Sequence, residues 1–264
     1  MQFSTKIILI TGASSGIGKT TALLLAKTRA TLILLGRNKE RLAEVLRLVK
    51  IYSPASDSYH CDITNPQRIY DVIKDVLRKH KKIDILINNA GYGMYRGFNE
   101  SSEEDLQNLM DTNYFGTVHI TKAVLPSMLK QGNGHIVNIA SVAGKAGFPG
   151  NTGYCASKFA VVGLTEALYY ELKDKNIHVH LICPGAVNTP FQQHSPGYED
   201  FDHYKRHTYI IQAEDVAQAI KTAIEKNIFE TILPKEAALK LWGKGLLPKL
   251  WRKTLYKITR GEKY

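Results

Sequence analysis

Short runs rich in β-branched residues punctuate the chain: KIILIT (6–11), TLILL (31–35), SYH (58–60), IDILIN (83–88), HIVNIA (135–140), IHVHLI (177–182) and FETIL (229–233). Most are apolar at nearly every position rather than at alternate ones, the pattern of strands covered on both faces. Between them lie longer helical patterns near 17–29, 39–50, 66–80, 103–130, 152–174 and 213–226. The last opens on an acidic start, AEDVAQAI, with alanines at helical spacing. Strand–helix alternation of this kind predicts an α/β fold with one doubly wound parallel sheet of about seven strands and helices on both faces. A length of 264 residues suits one such domain.

Sheets of this type bind ligands beyond the carboxyl ends of their strands, so the residues that follow each strand carry the functional reading. After the first comes 11-TGASSGIGKTTALLLA-26. Gly12, Gly16 and Gly18 fall where a strand gives way to a helix, and glycines there let a phosphate approach the helix N-terminus. After the second strand, Gly36 and Arg37 stand where an NAD site usually offers an acidic side chain to the ribose 2′-hydroxyl. A planar cation suits a 2′-phosphate instead, so NADP(H) is favoured over NAD(H). Asp62 of 61-CDIT-64 is placed to accept from an adenine amino group, although it also makes a good turn residue. The run 88-NNAGYG-93 supplies two amides and two glycines, suited to close approach of a ribose. Ser141 ends the fifth strand in 138-NIASVAG-144, and 183-CPGAVNTPF-191 follows the sixth, where Thr189 is able to bond a ligand amide.

The stretch 153-GYCASKFA-160 sets Tyr154 and Lys158 four residues apart, stacked about 6 Å along one helical face. A tyrosine titrates near ~10, and a neighbouring cation favours its phenolate. The expectation is that Lys158, aided by a second cation, lowers the Tyr154 pKa towards neutrality. Taken alone, such a pair is an ordinary helix-surface contact; its setting beside Ser141 gives it weight.

TGASSGIG, NNAG, Ser141, the Tyr154-x-x-x-Lys158 pair and the Pro-Gly after the sixth strand together resemble the short-chain dehydrogenase/reductase family in its compact single-domain, Rossmann-like branch. The resemblance covers about residues 5–233. It implies an NADP(H)-dependent oxidoreductase that interconverts a carbonyl and a secondary alcohol. Within it Tyr154 exchanges the proton and Lys158 tunes it. Ser141 holds the substrate oxygen, and Asn113 of 111-DTNYFGT-117 completes a Ser–Tyr–Lys–Asn tetrad. Cofactor contacts are implied at Gly12, Ser14, Ser15, Gly16, Ile17 and Gly18. They continue at Arg37, Asn38, Asp62, Ile63, Asn89, Ala90 and Gly91, and then at Tyr154, Lys158, Pro184, Gly185, Val187 and Thr189. The substrate loop is implied at about 186–212, and pairing of the helices 103–130 and 152–174 between subunits implies a homodimer or homotetramer. The competing class is a non-catalytic NADP-binding scaffold, which an intact tetrad argues against.

Composition narrows the rest. Three widely spaced cysteines, Cys61, Cys155 and Cys183, form neither a metal pattern nor a disulfide framework and read as reduced thiols of a cytoplasmic protein. The beginning of the sequence lacks the apolar run of a signal peptide. Loop residues His194, His203 and His207, with Tyr198, Tyr204 and Tyr209, are read as a solvated substrate loop, with no metal expected. The net charge of +11 is concentrated: residues 235–264 hold nine Lys/Arg against Glu236 and Glu262, or +7. The charge therefore belongs to an extension, 234–264, appended to a domain at 1–233, and nucleic acid is not an expected partner. After Pro248, Trp251, Leu255 and Ile258 share one face of a helix. That stripe either lies on a membrane surface or packs on the body or a partner subunit.

Overall fold

A computed structural model describes residues 2–198 and 209–259. The main sheet contains β1 (Ile7–Thr11), β2 (Thr31–Gly36), β3 (Asp57–His60), β4 (Ile85–Asn88), β5 (Gly134–Ile139), β6 (Ile177–Pro184) and β9 (Glu230–Leu233). Their spatial order is β3-β2-β1-β4-β5-β6-β9, every neighbour parallel. Two short strands, β7 (Ala186–Asn188) and β8 (Ile210–Gln212), pair separately beside it. Each expected strand is present to within a residue or two.

The expected crossovers are also present: α1 (Gly16–Ala26), α2 (Lys39–Lys50), α3 (Pro66–His80), α4 (Glu103–Met110), α5 (Gly116–Gln131), α6 (Thr152–Leu172) and α7 (Ala213–Lys226). Capping explains their starts. Asn38 accepts from the Arg41 amide at 2.8 Å and Asn65 from the Arg68 amide at 3.0 Å, with Pro66 in the first turn of α3. Strand side chains alternate between two cores. Ile8, Ile10, Leu32 and Leu34 meet α1, α2 and α7, whereas Leu9, Ile33, Leu35 and Leu86 meet α3, α5 and α6.

Three local departures matter. The single helix expected over 103–130 is interrupted by a π-helical turn, Asp111–Phe115, between α4 and α5. The helix expected to reach residue 29 ends at Ala26, and Arg29 takes a left-handed φ of 63°. The extension adds a helix not named from its sequence, α8 (Lys235–Leu246), ahead of the one expected after Pro248, α9 (Pro248–Thr259).

Two buried polar clusters tie the sheet together. At the carboxyl ends of β4 and β5, Asn88 Nδ2 donates to Asn138 Oδ1 at 2.9 Å and to Thr121 Oγ1 at 3.0 Å. Asn138 Nδ2 donates to Thr165 Oγ1 at 2.9 Å. The second cluster sits on β5 and β6. His180 Nδ1 lies 2.7 Å from the Ile228 carbonyl, which only accepts, so that nitrogen carries the proton. Neutral His180 Nε2 is then the acceptor, and His135 Nδ1 donates to it at 2.9 Å. Burial, with His178 and Lys6 near His135, drives the His135 pKa down to about 3, and burial takes His180 down to about 4.

The unfolded chain takes up protons on these histidines below its ordinary value of 6.5, and the folded chain refuses them. Stability is therefore full above that value and falls as pH drops towards the folded-state values, by about 1.4 kcal/mol per pH unit for each histidine. Urea titrations at several pH values between neutrality and mild acid should show a shallower decline for His135→Gln than for the native sequence. An identical slope would remove His135 from the account.

Candidate active site

The loop from β1 to α1 is shaped by three glycines acting differently. Gly12 adopts φ +64°, and a Cβ on it would stand 2.8 Å from Ala90 Cα. A Cβ on Gly18 would strike the Gly12 carbonyl oxygen and come within 2.6 Å of Asn89 Nδ2. Gly16, at φ +50°, faces Thr189 across the cleft. Asn89 fastens this loop to the end of β4: its Nδ2 donates to Thr11 O at 3.0 Å and Gly12 O at 3.2 Å. Thr11 Oγ1 accepts from the Asn89 and Ala90 amides, both at 3.0 Å. Ser15, the residue before α1, places no side-chain cap on the helix, which leaves its leading N–H groups available to an anion.

These elements border one cleft of about 890 Å³ at the carboxyl edge of the sheet. All the residues expected from sequence line it except two, Gly18 and Asn113. Gly18 is packed beneath the loop, and Asn113 is buried behind the wall. Arg37 stands exposed at the end of β2, with Arg41 nearby in the same wall. Asn38 has its side chain committed to capping α2, and Asp62 Oδ1 accepts from Thr64 N and Oγ1, both at 2.9 Å. The turn role of Asp62 is thus satisfied within the protein.

On the other side of the cleft, β5 delivers Ser141 and α6 delivers Tyr154 and Lys158. Ser141 Oγ accepts from the Ala143 amide at 3.1 Å and donates to the Pro184 carbonyl at 3.3 Å, which joins the ends of β5 and β6. Lys158 is buried; its Nζ donates to the Ile139 carbonyl at 3.0 Å and lies 5.8 Å from the centre of the Tyr154 ring. Asn113 occupies the π-turn. Its Oδ1 accepts from Tyr92 N at 3.0 Å, while its Nδ2 donates to Tyr92 O at 3.0 Å and to Ser157 Oγ at 2.9 Å. A Cβ on Gly91 would meet Asn113 Oδ1 at 2.8 Å and Lys158 Nζ at 3.6 Å, so the three positions converge.

The protein's own groups do not by themselves supply the expected shift. Burial raises the Tyr154 phenol above its ordinary value, and the Ser141 hydroxyl offsets only part of that. Burial also lowers the Lys158 ammonium to about 8. The lysine does not bring the phenol towards neutrality through the protein's own groups, because the same desolvation disfavours both charged forms.

Sequence reasoning overlooked Ser157 and Thr11, which hold site residues in place without facing the cleft. It also overlooked the aromatic wall of Tyr95, Phe148 and Phe191. Tyr198 lies 5.4 Å from Tyr95, and Phe191 6.1 Å from Tyr154, centre to centre. The alternation of aromatics with glycine in 91-GYGMYRG-97 was the available signal. His194 Nδ1 donates to the Pro190 carbonyl at 2.6 Å, and His203, Tyr204 and His207 lie outside the described residues. In the extension, Trp251 and Leu255 are half-buried, as packing rather than an open stripe would have them; the Ile258 side chain is outside the described residues. Lys244 Nζ instead donates to the Lys145 carbonyl and sits 5.6 Å over the Phe159 ring, and Lys240 sits 5.5 Å over Tyr209.

A family model described as short chain dehydrogenase matches residues 6–199. The 3-oxoacyl-[acyl-carrier-protein] reductase FabG of Thermotoga maritima is 39% identical over 196 residues, spanning 74% of this chain and 80% of that protein. A short chain dehydrogenase/reductase from Burkholderia phymatum, solved in complex with NAD, superposes with a TM-score of 0.87 at 27% identity, covering 95% of this chain and 96% of that one. One from Sphingobium yanoikuyae in complex with NADPH superposes with a TM-score of 0.78 at 29% identity, covering 93% and 96%. The glycine cradle fits the nicotinamide dinucleotides those two structures hold, and a parallel sheet in the same arrangement positions it. The chain therefore belongs to the short-chain dehydrogenase/reductase family and is an NAD(P)-dependent oxidoreductase.

Proposed function

We propose that the protein interconverts an apolar ketone or aldehyde and its alcohol with NADP(H), using Tyr154, Lys158, Ser141 and Asn113. The observation that carries this reading is the convergence of Tyr154, Lys158 and Ser141 on the cleft that the glycine loop opens into, with Asn113 directly behind Gly91 and Lys158. When bound, the nicotinamide supplies or accepts the hydride. Ser141 Oγ turns its one proton from the Pro184 carbonyl to the substrate oxygen and stabilises the charge that develops there. Tyr154 gives that oxygen its proton in reduction and takes it back in oxidation. Lys158, held by the Ile139 carbonyl, stabilises the phenolate left behind. Asn113 fixes the Gly91–Tyr92 backbone beside Lys158 and lies next to the route by which that proton is replaced.

The substrate side is walled by Tyr95, Phe148, Phe191, Tyr198 and Ile210, without an acidic, lysine or arginine side chain among those described residues. Such a wall suits an apolar carbonyl compound. The name of the Thermotoga relative specifies a 3-oxoacyl chain, a ketone on an apolar tail, and supports the same class here. Arg37 with Arg41, and the lack of a side chain at Gly36, support NADPH over NADH. A homodimer or homotetramer through α4–α6 agrees with the exposure of Phe115 and Tyr170 on those elements, and three unpaired buried cysteines agree with a reducing cytoplasm.

Tyr154→Phe should lower kcat by about 100-fold or more while NADPH affinity changes by less than about threefold. Steady-state kinetics on aliphatic ketones, paired with a binding titration, separates the two. Loss of binding with kcat preserved would contradict the assignment. Arg37→Asp should weaken NADPH by about tenfold or more and leave NADH unchanged or tighter, as read by calorimetry. Equal effects on both cofactors would sink the NADP(H) preference.

A further inference from the structure

We propose that α8 and the turn into α9 form a docking face for an anionic lipid surface, set beside the mouth of the cleft. The proposal stands apart from the catalytic assignment and is read by a different assay. On α8 the half-buried Ala237, Ala238 and Leu241 face the body, while Leu239, Trp242 and Leu246 are 70%, 67% and 60% exposed. Their spacing is i, i+3, i+7, so three large apolar side chains form one outward stripe. A water-facing helix would carry polar residues there. Leu247 and Leu250 extend the apolar surface at the turn and are also exposed.

Charge identifies the occupant. Lys235, Lys249, Arg252, Lys253 and Lys257 are exposed, and among the described residues none of them forms an ion pair. Leucine and tryptophan rimmed by unpaired cations match the acyl boundary and headgroups of an anionic leaflet. A second copy is a poor occupant, since it would bring one +7 segment against another. No helix among the described residues is long and apolar enough to cross a membrane, so the contact is peripheral.

The position of this face gives it a use. α8 rests against Lys145 just after Ser141, against Phe159 just after Lys158, and against Tyr209. Tyr209 adjoins Ile210, which is exposed and also lines the cleft. A lipid surface held by α8 therefore lies next to the aromatic side of the cleft, where an apolar substrate would pass without crossing water.

The test is sedimentation of the full chain with vesicles of phosphatidylcholine alone or mixed with phosphatidylserine. The native sequence should bind the anionic vesicles and be released by salt. Leu239→Ser/Trp242→Ser/Leu246→Ser should lose at least about tenfold in vesicle affinity with thermal unfolding and NADPH binding unchanged. In Trp251→Phe, Trp242 emission should shift to the blue on binding. Equal binding of native and triple-substituted protein would overturn the proposal, as would failure of anionic vesicles to retain the native chain. Conversion of an oligomer to a monomer by the triple substitution, without any vesicle binding, would assign the face to a second copy instead.

Discussion

Parallel pairing of neighbouring strands is the constraint on which the rest of this structure depends. A parallel pair cannot be closed by a tight turn, so each strand is followed by a crossover that must pack back onto the sheet. With β1, β2, β4, β5, β6 and β9 all running the same way, every carboxyl end opens onto one edge. Residues far apart in sequence, from Gly12 to Thr189, are thereby gathered around a single cleft. The crossovers also explain the apolar central strands, since helices cover both of their faces, while β3 and β9 at the two edges stay partly exposed.

Much of this was legible because it is local. Continuous apolar runs and the glycine spacing after β1 each depend on a few adjacent residues. The Tyr154–Lys158 pairing follows from helical geometry alone. What was not legible depends on partners distant in the chain. Asn113 reads as an ordinary helix residue until the π-turn and the backbone of Tyr92 give it bonds. Asn89 reads as a ligand-facing amide, yet its side chain fastens β4 to the glycine loop. In the extension, Gly243 and Gly245 weaken the helical pattern of α8, and the half-burial of Trp251 and Leu255 depends on packing that their own spacing does not specify.

The pair at the centre of the site shows burial and charge in opposition. Desolvation leaves Tyr154 harder to ionise and Lys158 easier to neutralise than in water. The same low polarity strengthens any charge that enters the cleft. A site of this kind waits for its last charge, and an oxidised nicotinamide is a cation. In this account the cofactor and Lys158 together, rather than Lys158 alone, lower the phenol.

Titration of the Tyr154 phenol tests that claim most directly. Ring-carbon NMR of labelled tyrosine, assigned by loss of the signal in Tyr154→Phe, would follow it with and without NADP⁺. The account predicts a phenol that stays protonated beyond the ordinary tyrosine range in the protein alone and titrates well below it once NADP⁺ is bound, with the drop diminished in Lys158→Met. A titration curve that NADP⁺ leaves in place, or that Lys158→Met leaves unaltered, would contradict it.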